Sequence, residues 1–231
     1  VTASTSEQLA KLMSGVELLM LDFDGPICSV FAGLPAPVVA ERLRRTLKRH
    51  GLAIPPTLDR EPDPLAVYRH SAAYGSVVTR QVYEELVVAE VEAVASAVPT
   101  PGAVDVIRAA AKSGRRVAIV SNNATVAIQG YLAAHQIGGL IHYVAARRTP
   151  QPACMKPNPA YLLEAMAATA TRPTSAVLVG DSESDVVASR RADVRSIGFA
   201  NKAGKAERLR SVGADAITDA MPAIAAALRT S

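Results

Sequence analysis

Tryptophan is absent from this 231-residue chain, and aromatic residues make up only 4% of it. Nucleic-acid binding calls for a basic cluster interleaved with stacking aromatics. The densest basic stretch, residues 42–49 (RLRRTLKR), contains no aromatic and reads as the solvated face of a helix. No nucleic-acid partner is expected. Cysteine is equally scarce: Cys28 and Cys154 are the only two, too few for a disulfide framework. A reducing compartment follows, with both thiols read as small buried fillers and oxidation of one of them as the alternative. Long apolar runs are missing too. Residues 16–21 are interrupted by Glu17 and fall far short of the roughly 20 residues that span a bilayer. Neither a leader nor a membrane partner is expected, and the expectation is a cytoplasmic protein, monomer or homodimer. Charge of neither sign dominates: the formal net charge is +4, a mild excess suited to solubility or to attracting small anions.

What is present is apolar patterning, with 49% hydrophobic residues and abundant alanine. That is enough for one large domain, or one domain carrying an insertion. From residue 100 onward, short Val/Ile/Leu runs alternate with helical stretches. Strands are expected at 116–120, 140–145, 175–179, 194–199 and 215–218, and helices at 103–112, 125–135, 159–170, 184–192, 202–212 and 221–229. This alternation implies a parallel sheet with right-handed crossovers. Residues 33–98 break the rhythm. Helices are expected at 38–50, 65–74 and 79–97, a Pro-rich loop at 51–64, and no strand between 21 and 117. The reading is an α/β fold: a Rossmann-like parallel-sheet core from residues 1–32 and 99–231, with an all-helical cap, 33–98, inserted after the first strand. Gly33-Leu34-Pro35 and Pro99-Thr100-Pro101 mark its hinges.

The stretch LLMLDFDGP, residues 18–26, carries the chemistry. A buried strand ends in two carboxylates, Asp22 and Asp24, where open α/β sheets bind ligands. Unscreened by water, they require a cation. Three further groups are expected at the same sheet edge: Ser121-Asn122 after RVAIV, Lys156 in CMKPNP, and Asp181 and Asp185 in GDSESD after SAVLV. Two hard oxygen ligands, Asp22 and Asp181, suit Mg2+, with Asp185 one helical turn beyond Asp181 to hold its waters. Lys156 offsets the acids and, with the Ser121 hydroxyl, suits a phosphoryl group. A metal-screened aspartate can attack phosphorus.

DFDGP, SNN, Lys156 before Pro157, and GDSESD, in that order, resemble the four motifs of the haloacid dehalogenase superfamily. The resemblance implies Asp22 as nucleophile and Asp24 as general acid and base, the latter also offering a main-chain carbonyl to Mg2+. It implies Ser121, Asn122 and Lys156 as phosphate-binding groups, and Asp181 and Asp185 as metal ligands. An acid at residue 24 favours phosphate-ester hydrolysis, since an alcohol leaving group needs a proton. The pattern is closest to the phosphoglycolate-phosphatase-like branch. The implied activity is a Mg2+-dependent phosphatase for a small phosphorylated metabolite, with a sugar phosphomutase and a silent binding module as alternatives. Pro26 departs from the usual Thr or Val and removes an N–H from the loop. Arg69, His70 and Tyr74 are the cap residues expected at the leaving group. Arg147 and Arg148 read as a solvated pair.

Overall fold

The computed structural model describes residues 5–230. Six parallel strands form the central sheet: β1 (Leu18–Leu21), β4 (Arg116–Ala124), β5 (Tyr143–Arg147), β6 (Ala176–Gly180), β7 (Arg195–Phe199) and β8 (Ala216–Thr218). Their spatial order is β5-β4-β1-β6-β7-β8. The chain moves outward from β1 to β5, then crosses back to β6 on the other side of β1. Such a reversal opens a crevice at the carboxyl ends of the strands flanking β1.

The alternation of β1 sorts the core into two layers. Leu19 and Leu21 pack with α1 (Thr5–Met13), α6 (Ala103–Lys112), α7 (Thr125–Ala134) and α11 (Met221–Thr230). Leu18 and Met20 face α8 (Ala160–Ala168) and α9 (Glu183–Arg191) on the opposite side. The remaining helix of this region, α10 (Lys205–Ser211), follows β7. Between β1 and β4 lie α2 (Ala36–Arg49), α3 (Pro56–Asp59), α4 (Pro64–Ser71) and α5 (Ser76–Val94), which share their own apolar cluster. Val39, Leu43 and Leu47 of α2 recur every four residues, one stripe of a 3.6-residue period. Helix α5 belongs to both clusters: Val82, Leu86 and Ala89 pack in the cap, and Ala93 packs under the sheet.

Several expectations need correction. Two short strands, β2 (Cys28–Ser29) and β3 (Val98–Pro99), pair antiparallel where the cap leaves and rejoins the core. At two residues each they are too short to carry a periodicity. Part of the Pro-rich loop forms the single turn α3, and α4 ends at Ser71, with a 3-10 turn over Ala72–Tyr74. β4 continues past Val120 to Ala124, through a register shift, so Ser-Asn-Asn lies within the strand. The basic face of α2 is not wholly solvated. Arg44 is buried, bonded to Glu41 and to the carbonyl of Glu61.

Candidate active site

Asp22 prolongs the β1 pairing by donating its N–H to the carbonyl of Val179 at 2.9 Å. Its side chain sits at the carboxyl edge of the sheet. Oδ1 accepts from the Phe23 N–H at 2.7 Å, and Lys156 Nζ lies 2.9 Å from the same oxygen. Lys156 precedes α8 and is only 1% exposed. Its ammonium also reaches Val120 O at 2.8 Å and Asp185 Oδ1 at 2.5 Å. One hydrogen bond and two ion pairs thus surround the buried ammonium.

After Asp22 the chain turns sharply. Asp24 Oδ1 accepts from the Val30 N–H at 2.9 Å, which ties this acid to the strand leading into the cap. Gly25 has φ +108°, and a Cβ there would lie 2.4 Å from Asp181 Cγ, so only glycine fits. The bonds that close the loop run from Gly25 N–H to Cys28 O and from the N–H groups of Ile27 and Cys28 to Phe23 O. None of these bonds uses a donor at position 26, which accounts for the proline there.

Asp181 follows β6 and precedes α9, so it does not share a helix face with Asp185. The first residue before α9, Ser182, forms a capping box with Asp185: each side chain meets the other's main-chain N–H. That box aims Asp185 Oδ1 back at Lys156. Asp22, Asp181 and Asp185 each bring a carboxylate oxygen within 4.8 Å of the other two. Burial and the neighbouring acids push Asp22 up to about 7. Burial, opposed by the Val30 N–H, leaves Asp24 at about 6, and burial also raises Asp181. Four carboxylates, Asp22, Asp24, Asp181 and Asp185, gather here against the paired ammonium groups of Lys156 and Lys205, so negative charge is in excess when all are ionised. Three convergent hard oxygen donors with uncompensated charge fit a small divalent cation such as Mg2+.

On the other side of Asp22, the Ser121 hydroxyl donates to Asn123 Oδ1 at 3.1 Å and accepts from the Asn123 N–H. Asn122 is occupied differently from expectation. Its Oδ1 accepts from the Lys156 N–H at 2.8 Å and its Nδ2 donates to the Lys156 carbonyl at 3.3 Å. Both ends of the amide thus hold the lysine's main chain. Arg147 also departs from the sequence reading. It is fully buried and ion-paired with Glu90 at 2.5 Å, whereas Arg148 is exposed and pairs with Glu164.

A cavity of about 750 Å³ stands over these groups. Asp22, Asp24, Ser121, Lys156 and Asp181 line it from the core, and Phe31, Pro64, Leu65 and Arg69 from the cap side. Leu65 and Arg69 are four residues apart on α4 and share a face. Arg69 Nη2 donates to the Lys156 carbonyl at 2.9 Å. His70 and Tyr74 are turned elsewhere: they hydrogen-bond each other, and Tyr74 donates to Ala53 O. Neighbours that the sequence reading missed are Lys205, Asn123 and Glu90. Lys205 had a topological signal, since it follows a strand of the same sheet. Glu90 had a periodic one, lying in the buried stripe of Leu86, Ala89 and Ala93.

A Rossmann-like parallel sheet with acids at its carboxyl edge and a helical cap above them defines the class of protein. Within that class, residues 66–199 match the family described as haloacid dehalogenase-like hydrolase, and the chain belongs to it. The matched stretch holds Ser121, Lys156, Asp181 and Asp185, and begins after Asp22 and Asp24. Phosphoglycolate phosphatase of Pseudomonas putida is 33% identical over 100 residues, 43% of this chain and 36% of that protein. Phosphoglycolate phosphatase 1 of Pseudomonas aeruginosa is 29% identical over 127 residues, 53% and 46% of the respective chains. The chain thus aligns with less than half the length of these curated relatives. Among solved structures, one described as a predicted phosphatase from Clostridium acetobutylicum superposes with TM-score 0.70 at 14% identity, covering 91% of this chain and 97% of that one. CbbY from Rhodobacter sphaeroides in complex with phosphate gives 0.61 at 17% identity, covering 89% and 95%. At such identity the likeness is one of fold.

Proposed function

We propose that this chain is a Mg2+-dependent phosphomonoesterase for a small phosphorylated metabolite, working through an aspartyl phosphate on Asp22. The observation that carries the reading is the state of Asp22. It lies at the floor of a cavity with Oδ1 held by both Phe23 N–H and Lys156. Oδ2 is then the oxygen left to attack phosphorus. Asp24, raised to about 6, keeps a protonated fraction near neutral pH. It can therefore give a proton to the leaving alcohol and later take one from the attacking water. Lys156 holds the nucleophile and offers charge to the phosphoryl oxygens. Ser121 turns its hydroxyl proton from Asn123 to a phosphoryl oxygen. Asp22, Asp181 and Asp185, with the main-chain carbonyl of Asp24, would hold the cation. When bound, Mg2+ supplies positive charge to the acids and to the transferring group. Arg69 is the cap residue in place to contact the leaving group, and cap residues over the cavity shield the site from water.

The test is phosphate release from p-nitrophenyl phosphate and from a panel of phosphorylated sugars, short acids and nucleotides with MgCl2. Asp22→Asn is expected to lower turnover by roughly three orders of magnitude or more. An Asp22→Asn protein with parental turnover would refute the mechanism. Isomerised sugar phosphate without free phosphate would assign a mutase instead.

A further inference from the structure

The most deeply buried charges outside the strand-edge cluster belong to two elements that meet across the cap boundary. Glu90 lies on α5 and Arg147 at the end of β5, and both side chains are fully buried. Such pairs contribute little net stability compared with well-packed apolar residues, because desolvation offsets their attraction. Burial raises the Glu90 carboxyl, and Arg147 is the largest influence opposing that rise. The guanidinium of Arg147 also sits 5.1 Å from the Tyr68 ring centroid and 5.2 Å from that of Tyr83, residues of α4 and α5. The pair is thus gripped by the cap on one side and joined to the core on the other.

Its remaining bonds all go to the strand segment that carries the expected phosphate-binding groups. Glu90 Oε2 accepts from the Ala124 N–H at 2.8 Å, just before α7. Oε1 accepts from Asn123 Nδ2 at 3.1 Å. With Nδ2 engaged by Glu90, the amide of Asn123 presents its oxygen to the Ser121 hydroxyl. Arg147 Nε donates to the Asn122 carbonyl at 3.0 Å, and the Asn122 amide clamps the main chain of Lys156. Two continuous chains of hydrogen bonds therefore leave the pair, one ending at Ser121 and the other at Lys156.

We propose that Glu90 and Arg147 are a positioning pair through which cap helix α5 orients the Ser121 hydroxyl and the Lys156 loop for a phosphoryl group. The proposal rests on the phosphomonoesterase reading of the same site. It assigns to the cap a part in forming the phosphate site itself, in addition to contacting the leaving group.

Binding of inorganic phosphate, measured by calorimetry with MgCl2 present, tests it alongside kcat and KM for p-nitrophenyl phosphate and thermal melting. Glu90→Gln lets the Asn123 amide flip. Asn123→Ala breaks the relay but leaves the ion pair intact, so it stays informative if Glu90→Gln fails to fold. Each variant is expected to weaken phosphate binding on the order of tenfold and to raise KM more than it lowers kcat. Leu47→Ala, in the cap cluster on α2 and off the helix that carries Glu90, is expected to lower the melting temperature while leaving phosphate affinity within about twofold of the parent. If the parent binds phosphate and Asn123→Ala binds it equally well, the positioning role is refuted while the phosphatase reading stands. The role is refuted likewise if Leu47→Ala weakens binding as much as the two network variants. If the parent binds no phosphate, both fall together.

Discussion

Two aspartates two positions apart acquire different properties from different surroundings. Asp22 is nearly sealed in, its Oδ1 held by a main-chain N–H and a lysine. Asp24 is tied by one N–H to the strand that leads into the cap. The separation predicts distinct failures. Asp24→Asn is expected to lower turnover of an alkyl phosphate by roughly 10²–10⁴. With p-nitrophenyl phosphate the leaving group departs without a proton, so the first step persists while hydrolysis of the aspartyl phosphate slows. Rapid mixing should then show a burst of about one nitrophenolate per active site, followed by slow turnover. Absence of a burst, with equal losses on both substrates, would remove Asp24 from proton transfer. Residue scale also explains why part of the site was legible from the chain. Asp22 and Asp181 are set just beyond strand ends and Lys156 in the Pro-rich turn before α8, places that local patterning locates. Asn123 lies on the same strand as Ser121, but its bond to Glu90, like the pairing of Lys205 with Asp181, forms only through packing between distant segments.

Among elements, the turn between β6 and α9 concentrates the most chemistry in the fewest residues. Ser182 caps α9 and bonds Asp185 Oδ2 through its hydroxyl at 2.6 Å, while Oδ1 of the same carboxylate faces Lys156. Ser182→Ala is expected to cost about 1 kcal/mol in denaturant unfolding, the usual value of an N-cap. It should also weaken Mg2+ binding roughly tenfold, because the ligand loses its outer hydrogen bond. Calorimetric Mg2+ titration reads the second effect, and unchanged affinity would make the box a helix cap alone. Element boundaries were legible where local chemistry sets them. α6 lies at the residues that Gly102 and Ser113-Gly114 delimit, and β6 falls within one residue of its apolar run. The extension of β4 through Asn123 was not legible. Ser-Asn-Asn reads as a stop, and the bonds that carry the strand onward come from Glu90 and Arg147, far away in sequence. α1 did carry a signal, Leu9, Leu12 and Met13 at helical spacing, within a segment too short to stand out.

At the scale of the whole molecule, uncompensated negative charge at the sheet edge sets a dependence on pH and metal. Asp22 and Asp24 titrate at about 7 and about 6 in the metal-free protein, above the usual range near 4. The folded state therefore holds these protons more tightly than the unfolded chain does. Their stabilising contribution is complete below about pH 4 and is lost as pH rises through 6 to 7. In EDTA, the parent is expected to lose more melting temperature between pH 5 and pH 8 than Asp22→Asn does. Mg2+ should then stabilise the parent more at pH 8 than at pH 5. Parallel melting curves for the two proteins would contradict this. The pairing of β2 with β3 has a consequence of another kind. It fastens residues 28–29 to 98–99, so residues 30–97 form a closed excursion whose two ends already meet. The chain entropy of such an excursion grows only logarithmically, about 0.6 kcal/mol for each doubling of its length. Lengthening or shortening it far from the seam therefore burdens the folding of the sheet very little. Substrate choice can then diverge by insertion and deletion in the cap wherever α5, which carries Glu90, is left in place.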